Sequence, residues 1–330
     1  MKFLVIGLGS MGKRRVRNLI ALKETSIAGF DISSERTEET KKKYGIEVYS
    51  NFETAVSSFK PDAFIISTPP NQHMNYAHFG IDHGKHCFIE ASVTDLESIK
   101  HLEQKRLNSS VIIAPSCTMS YYFAPQEIKS IITSGQIGEV LNINYQSGQY
   151  LPDWHPWEDI REFYVSNFDT GGCREIVPFE LTWLNGIFGE PTPLACVKSK
   201  QTNLPVEIDD IYHCILRYPN NAILNLTVDV IARPKAIRNL VILGSEGLIE
   251  WNSNENYVRK AKTGSDEWLT IKIPSGTIES SYINPEEPYI REVGDFISAI
   301  TANDQSLFPN SLNEDISVLE TLYKLENMSK

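Results

Sequence analysis

The first third of the chain alternates short apolar runs with segments whose apolar residues recur at helical spacing. The opening run, KFLVIGL at 2–8, is apolar throughout, which is typical of a strand buried on both faces of a parallel sheet. Further strands are predicted at 26–30, 46–50, 63–68, 86–90 and 111–113, with helices between them. This alternation predicts an α/β fold with a doubly wound parallel sheet.

From about residue 121 the alternation ends and longer strands follow. After a helix at 124–134, strands are predicted near 141–150, 193–202, 209–218, 221–232, 238–252 and 267–274, and helices near 286–303 and 312–328 close the chain. Asn220-Asn221 and the Gly244–Gly247 segment indicate antiparallel hairpins. We therefore expect two domains, an α/β domain at 1–120 and an α+β domain with a large, mostly antiparallel sheet at 121–330.

Composition narrows the possible partners of this chain. Its 330 residues carry a formal charge of −11, which argues against nucleic acid or an anionic membrane as a partner. The five cysteines are scattered, with no C-x-x-C pair, and therefore indicate free thiols in a reducing compartment. No signal peptide and no membrane span are evident, so we expect a cytoplasmic protein.

A glycine pattern stands between the first strand and the first helix. Gly7, Gly9 and Gly12 form G-x-G-x-x-G around Ser10 and Met11, and Asp31 ends the second strand 19 residues after the third glycine. Such glycines permit a tight turn against a pyrophosphate at the helix N-terminus, and the acid accepts hydrogen bonds from a ribose. The pattern predicts a Rossmann-type dinucleotide site.

The acid at the end of the second strand bears on which dinucleotide binds. Asp31 would repel a 2′-phosphate, which favours NAD, whereas Arg36, Lys13 and Arg14 keep NADP possible. The basic run from Lys13 to Arg17 is interpreted as a solvated helix face, with a phosphate site as the less favoured alternative. Ligands on such sheets bind beyond the carboxyl ends of the strands, which adds further candidate cofactor residues. These are Thr68, Pro69, Asn71, His73, Glu90 and Ala91.

Several stretches resemble the glucose–fructose oxidoreductase and inositol dehydrogenase family (Gfo/Idh/MocA). They are GLGSMGKRRVRNL at 7–19, AFIISTPPNQHMNYAHFGIDHGKHCFIEAS at 63–92, SGQIGEVLNINY at 134–145, WLNGIFGEP at 183–191 and the run from Tyr289 to Ile300. The resemblance implies a Rossmann domain followed by an open, mostly antiparallel sheet that covers the nicotinamide. It also implies oxidation or reduction of an oxygen-bearing carbon of a sugar or polyol, and a homo-oligomer, dimer or tetramer, formed through that sheet.

The chain departs from this family at the positions of its acid–base residues. The family's Glu-Lys-Pro triplet corresponds to Glu90-Ala91-Ser92, so alanine replaces the lysine that handles the substrate's proton. An asparagine and an arginine of the family correspond to Thr118 and Ser120. Its aspartate, histidine and aspartate correspond to Glu175, Phe179 and Thr182, or, one residue further along, to Ile176, Glu180 and Trp183. Neither register restores the histidine.

Two segments offer replacement groups, of which the first runs from Asp153 to Tyr164. Its prolines predict a loop in which His155 is a candidate proton shuttle and Tyr164 a second choice. Trp157 and Arg161 suit a sugar through packing against the ring face and hydrogen bonds to hydroxyls. The alternative is a structural loop anchored by its aromatic residues.

The second segment is Gly171 to Glu180. Because proline is tolerated in the first turn of a helix, Pro178 predicts that a helix begins near it, with its positive end close to Arg174 and Glu175. We expect Arg174 to bind a carboxylate or phosphate of the substrate, and Glu175 to serve as general base. The alternative is an internal Arg174–Glu180 ion pair. Cys173 is not expected to be a nucleophile, and no metal site is expected.

These features predict an NAD-dependent dehydrogenase or reductase of carbohydrate metabolism, which transfers hydride to or from a hydroxyl or carbonyl carbon of a sugar or sugar derivative. An alternative is a catalytically silent homologue that binds NAD and a sugar as a sensor or regulatory protein, which the missing lysine and histidine favour. A third is reduction of a conjugated or imine-like substrate that needs little acid–base assistance.

Overall fold

The fold is that of a computed structural model that describes residues 1–91, 95–154, 159–162, 164–280 and 282–329. The helices are α1 (Ser10–Ala21), α2 (Ser34–Tyr44), α3 (Phe52–Phe59), α4 (His73–Asp82), α5 (Leu96–Arg106), α6 (Phe123–Thr133), α7 (Gly172–Phe188), α8 (Glu287–Ala302) and α9 (Leu312–Met328). The strands are β1 (Phe3–Ile6), β2 (Ile27–Phe30), β3 (Glu47–Tyr49), β4 (Ala63–Ile66), β5 (His86–Ile89), β6 (Ile113–Pro115), β7 (Val140–Gly148), β8 (Thr192–Ser199), β9 (Ile211–Arg217), β10 (Ile223–Asp229), β11 (Ile237–Gly244), β12 (Gly247–Asn252), β13 (Tyr257–Lys262) and β14 (Leu269–Lys272).

The chain divides into two compact units. The first comprises Met1–Tyr121 and Gly276–Ile316, and the second comprises Tyr122–Ser275 and Ser317–Lys330. This division differs from the predicted domains of 1–120 and 121–330, because the segment that contains α8 belongs to the first unit. The apolar face of α8 explains the difference, since Val293 and Phe296 are buried in one core cluster with Phe3 of β1.

The first unit is built on a parallel sheet of six strands in the order β3-β2-β1-β4-β5-β6. Every residue of β1 is buried, as expected for a strand covered by helices on both faces. The strand order reverses beside β1, where β2 lies on one side and β4 on the other. The predicted doubly wound α/β fold is confirmed, and its ligand-binding crevice is expected at this switch point.

The second unit is built on a sheet of eight strands in the order β14-β13-β12-β11-β7-β10-β9-β8. The neighbouring strands pair antiparallel except β7 and β10, which run parallel, so the predicted large, mostly antiparallel sheet is confirmed. The strand predicted at 238–252 is two strands, β11 and β12, joined by the predicted turn. β13 was not predicted, because its charged residues obscure the strand alternation.

One face of this second sheet is buried, and the other exposes apolar side chains. Along β9, Tyr212, Cys214 and Leu216 are buried, while His213, Ile215 and Arg217 are exposed. The period of two places Val197 of β8 on the exposed face as well, where it is the register partner of His213. The predicted difference between the two faces of the sheet is therefore present.

Helix α7 corrects the predicted helix start. Pro178 lies inside the helix, which begins six residues earlier, at Gly172. Proline removes one backbone donor from the helix, but the burial of Val177, Leu181 and Leu184 on the same helix offsets that loss. Arg174 and Glu175 still lie at the helix N-terminus, as predicted, but because the helix begins at Gly172 rather than near Pro178.

Candidate functional site

The glycine loop of the first unit uses its three glycines in different ways. Gly7 has φ +87°, and a Cβ there would lie 2.6 Å from the carbonyl oxygen of Ser67. At Gly12 a Cβ would lie 1.7 Å from the carbonyl oxygen of Gly7. At Gly9, among the residues that the structure describes, nothing lies within 4 Å of a Cβ position. The outer glycines thus permit the loop itself, whereas the middle one leaves an open approach for a ligand.

The N-terminus of α1 follows directly from this loop. Gly9 is its N-cap and no side chain of the described residues caps it, while Ser10 and Met11 form its first turn without an acidic residue. The free N–H groups and the helix dipole therefore favour an anion such as a pyrophosphate. The Lys13 ammonium pairs with Glu39 at 2.7 Å.

Asp31 lies beside the loop at the end of β2. The N–H of Leu8 donates to its Oδ2 at 2.7 Å, and the N–H of Ser33 donates to its Oδ1 at 2.8 Å. Each carboxylate oxygen keeps a further lone pair for a ligand hydroxyl. Arg36 is half exposed, and its guanidinium lies 3.8 Å from Asp31. This arrangement fits a ribose that carries free hydroxyls.

The end of β4 contributes buried polar atoms, the Thr68 hydroxyl oxygen and His73 Nδ1, that find no hydrogen-bond partner among the described residues. His73 donates from Nε2 to the carbonyl oxygen of Thr68 at 2.8 Å, and burial lowers the pKa of His73 to about 4. The ring is therefore neutral, with a bare Nδ1. Within the described residues, that Nδ1 and the Thr68 hydroxyl oxygen are buried without hydrogen-bond partners. Buried polar atoms of this kind usually find a partner, and a dinucleotide would supply one.

The remaining predicted cofactor residues lie around this strand end. Pro69 precedes a single 3-10 turn, Pro70–Gln72, that leads into α4, and Asn71 is exposed within it. Ala91 is half-buried immediately after β5. The residues predicted to surround the cofactor thus occupy the carboxyl ends of β1, β2, β4 and β5. Their binding role itself stays a prediction.

The basic run of α1 is neither a solvated face nor a phosphate site, so its interpretation was wrong. Arg14 and Arg17 both pair with Glu286, at 3.1 and 2.9 Å, and Arg14 also stacks on Tyr289. Arg15 is fully buried. Helical spacing cannot reveal this arrangement, because Glu286 lies 272 residues from Arg14 and 269 residues from Arg17 in sequence.

Arg15 connects two carboxylates inside the first unit. Its guanidinium contacts Glu90 through Nε at 2.5 Å and Nη2 at 3.0 Å, and Glu292 of α8 through Nη2 at 2.9 Å. Glu292 is fully buried and also accepts hydrogen bonds from Ser116, Cys117 and Thr118 at the end of β6. Burial raises the pKa of Glu292, and Arg15 opposes that shift. Glu90 is therefore held by this buried network.

In the second unit, Tyr164 donates a hydrogen bond from its hydroxyl to Glu175 Oε1 at 3.0 Å. Burial raises the pKa of Glu175 to about 7, and the hydrogen bond from Tyr164 opposes part of that shift. A carboxyl group with a pKa near neutrality can both accept and donate a proton. Two of the three predicted acid–base candidates thus lie in contact. His155 and Trp157 lie outside the described residues.

The two arginines predicted to bind substrate are engaged elsewhere. Arg174 Nε lies 2.7 Å from Glu326 Oε1, and Arg161 pairs with Asp159. Their substrate-binding roles stay predictions, whereas the alternative Arg174–Glu180 ion pair is wrong, because Glu180 is bound by Arg238 at 3.0 Å. A substrate anion at Arg174 would compete with Glu326 for the same guanidinium.

Sequence reasoning missed the environment of Glu180. This carboxylate is fully buried and accepts hydrogen bonds from Tyr145 at 2.7 Å, Ser147 at 2.8 Å and Trp183 at 2.8 Å. The only available signal was an acidic residue on the apolar face of a helix. Such a residue indicates a buried partner without identifying it.

Other chemistry is not evident in the described residues. They contain no group of three or more His, Cys, Asp or Glu side chains that could hold a metal ion. All five cysteines are buried and free, and burial raises the pKa of Cys173 well above its usual value, which opposes a nucleophilic role. In the part of the chain that is described, no helix has the length and apolar character needed to cross a membrane.

Comparison with known protein families agrees with this geometry. Residues 1–113 match the model of an oxidoreductase family with an NAD-binding Rossmann fold, GFO_IDH_MocA, and residues 126–250 match the Gfo/Idh/MocA C-terminal domain. The chain therefore belongs to the Gfo/Idh/MocA family of NAD-binding oxidoreductases, and NAD is its cofactor. No curated protein shows significant sequence similarity to the chain.

Solved structures share the fold at low sequence identity. An oxidoreductase from Agrobacterium radiobacter, in complex with NAD+, L-tartaric acid and magnesium, matches with a TM-score of 0.86 and 14% identity, over 100% of this chain and 96% of that one. Levoglucosan dehydrogenase with NADH and levoglucosan matches with 0.80 and 18%, over 98% and 97%. An inositol dehydrogenase homolog from Azotobacter vinelandii, with NADH and myo-inositol, matches with 0.81 and 14%, over 100% and 95%.

Proposed function

We propose that this protein transfers hydride between NAD and a hydroxyl or carbonyl carbon of a sugar or sugar derivative, and that Glu175 is its acid–base group. The observation that carries the proposal is the Tyr164–Glu175 hydrogen bond at 3.0 Å, in a chain that lacks the ionisable groups expected at Ala91 and Phe179. Glu175 occupies the position that corresponds to an aspartate in the family pattern, so an acid at this place is retained.

The proposed chemistry divides between cofactor and protein. The dinucleotide supplies or receives the hydride at nicotinamide C4. During oxidation, the Glu175 carboxylate takes the proton of the reacting hydroxyl, and during reduction the protonated acid returns it to the carbonyl oxygen. The Tyr164 hydroxyl orients the carboxyl group and stabilises its charged form. A pKa of about 7 leaves both forms of Glu175 populated near neutral pH.

The proposed substrate class follows the ligands of proteins with the same fold. Neighbouring folds are crystallised with levoglucosan and myo-inositol, both rich in hydroxyl groups. Trp157 and Arg161 remain proposed contacts for such a ligand, and His155 remains a second proposed proton carrier. Arg174 is proposed to bind an anionic substituent only where that group displaces Glu326.

The test is to follow NADH absorbance with a panel of sugars, polyols, sugar acids and nucleotide sugars. With an active substrate, Glu175→Gln is expected to lower kcat by about 10²–10⁴-fold while leaving NADH affinity unchanged. Glu190→Gln, the same change at the end of α7, is the matched control and should keep wild-type turnover. A Glu175→Gln enzyme with wild-type kcat would remove this residue from the proposal.

A sensor or regulatory protein that binds NAD and a sugar without turnover is the second candidate. The replacement of ionisable groups by Ala91 and Phe179 favours it, because neither side chain can exchange a proton. Tight NADH binding together with no turnover of any panel member would support this alternative.

We further propose that the exposed face of the second sheet forms a homo-oligomer interface. Val197 is 63% and Ile215 39% exposed on adjacent, paired strands of that face, and packing against a second copy of the sheet would remove this apolar surface from water. Ile215→Glu should convert a dimer or tetramer into monomer in analytical ultracentrifugation. A monomeric wild-type protein would refute the proposal.

A further inference from the structure

Glu292 of α8 connects the end of β6 to Arg15 of α1, and through Arg15 to Glu90 at the end of β5. Its Oε1 accepts from the Ser116 hydroxyl at 2.9 Å and the Cys117 N–H at 2.7 Å, and its Oε2 accepts from the Thr118 hydroxyl at 2.7 Å and from Arg15 at 2.9 Å. All four partners donate, which is the arrangement that suits an ionised carboxylate. Glu292 therefore holds Arg15 through Nη2, the same nitrogen that contacts Glu90 Oε2.

Glu90 lies at the end of the network that approaches solvent. Arg15 and Glu292 are fully buried, whereas Glu90 is 8% exposed at the carboxyl end of β5. The bidentate contact from Arg15 leaves the orientation of the Glu90 carboxylate with little freedom. A buried ion network seldom adds net stability, but it does define geometry.

The sheet order indicates which half of the dinucleotide Glu90 would meet. Asp31, the predicted ribose ligand, follows β2 on one side of β1, whereas Thr68 and Glu90 follow β4 and β5 on the other side. With the pyrophosphate at the N-terminus of α1, the adenosine half extends toward β2. The nicotinamide half must then extend toward β4 and β5.

We propose that Arg15 and Glu292 are positioning residues, which hold Glu90 at the end of β5 for contact with the nicotinamide half of the cofactor. The inference rests on the proposed function, because it requires NAD to bind at the glycine loop. It goes further by assigning a cofactor-orienting role to Arg15 of α1 and Glu292 of α8, which are both fully buried.

The chain contains a matched control for this role. Glu286 also joins α1 to the second segment of the first unit, through Arg14, Arg17 and a hydrogen bond from Asn18 at 3.0 Å. Its described contacts do not include Glu90 or the end of β6. A loss of stability alone would therefore be similar for the two glutamates, whereas a loss of cofactor orientation would be confined to Glu292.

The experiment is calorimetric titration of wild type, Glu292→Gln and Glu286→Gln with NADH and with ADP-ribose, which lacks the nicotinamide. Glu292→Gln should weaken NADH binding by about tenfold and change ADP-ribose binding by less than about twofold, because loss of this hydrogen-bonded charge frees Glu90 to move. Glu286→Gln should leave both affinities within about twofold of wild type.

Parallel loss of both ligands in Glu292→Gln, no loss of either, or the same NADH-specific loss in Glu286→Gln would overturn the inference. If Glu292→Gln does not fold, Thr118→Val removes a single bond to Glu292 and should give a smaller loss that is again specific to NADH. Wild-type protein that fails to bind NADH would contradict the proposed function itself, which is a distinguishable result.

Discussion

The dinucleotide loop of the first unit and the proposed acid–base pair of the second, Tyr164 and Glu175, differ in how far the sequence reveals them. The loop acts through its backbone, so its steric demands, such as 1.7 Å between a Cβ at Gly12 and the Gly7 oxygen, leave a recognisable glycine pattern. The proposed acid–base pair acts through its side chains, and an acid at another sequence position can take over proton transfer from a missing residue. The cofactor can therefore be identified from the glycine pattern in the sequence, whereas the residue that transfers the proton must be located in the structure.

The largest expected effect is a difference between two of the three loop glycines, Gly12 and Gly9. Gly12→Ala should destabilise the protein by about 3 kcal/mol or more, because the added methyl group collides with backbone rather than with a mobile side chain. Gly9→Ala should keep the wild-type melting temperature and weaken NADH binding by more than about tenfold. Thermal denaturation and NADH titration of both variants would test this contrast, and equal melting temperatures would contradict it.

A second test concerns His73, whose burial makes the first unit sensitive to acid. The unfolded chain binds a proton near pH 6.5, but the folded ring does so only near pH 4. The contribution of neutral His73 to the free energy of unfolding should thus be complete above pH 6.5 and be lost as pH falls toward 4. His73→Gln, which can still donate to Thr68, should reduce this loss by about 2–3 kcal/mol. Urea denaturation at pH 7 and pH 4.5 measures the difference, and identical pH dependence would refute it.

A third test sharpens the assignment of the cofactor. Asp31→Asn should weaken NADH binding by about tenfold and NADPH binding by less, because it removes the charge that repels a 2′-phosphate. The wild-type preference for NADH should therefore shrink. Arg36→Gln, which removes the neighbouring positive charge and keeps the Asp31 carboxylate, is the control variant. A wild-type preference for NADPH would contradict the role assigned to Asp31.

A smaller effect is expected from the acid of the second unit. Folding raises the pKa of Glu175 to about 7, so the folded state retains a proton between pH 4.5 and 7 that the unfolded state has released. Stability is therefore lost as pH rises through this range. Glu175→Gln should stabilise the protein by about 1 kcal/mol at pH 8, after allowance for partial exposure, and have no such effect at pH 4.5. Asp315, whose pKa is also raised to about 7, contributes a background that both proteins share.

Most of the fold could be predicted from the sequence because it follows from local patterns. The buried run of β1, the glycine loop and Asp31 are each readable within about 30 residues. The sheet of the second unit was predicted from period-two alternation, and β13 escaped because its Arg259 and Lys260 interrupt that pattern.

What could not be predicted depends on contacts that are distant in sequence. Arg15 looked like part of a charged helix face, and only folding shows that Glu90 and Glu292 neutralise it in the core. Pro178 led to a wrong predicted start for α7, because tertiary packing offsets the local cost of a proline inside the helix. Arg174 likewise has a partner, Glu326, 152 residues away.

The most direct test of the account is the pH dependence of hydride transfer in single-turnover experiments with saturating NAD. Wild-type protein should show an apparent pKa near 7, with oxidation faster above it, since the ionised carboxylate is the form that accepts a proton. In Glu175→Gln this inflection should disappear while the dissociation constant of NADH stays the same. An unchanged pH profile in Glu175→Gln would contradict the assignment of proton transfer to Glu175.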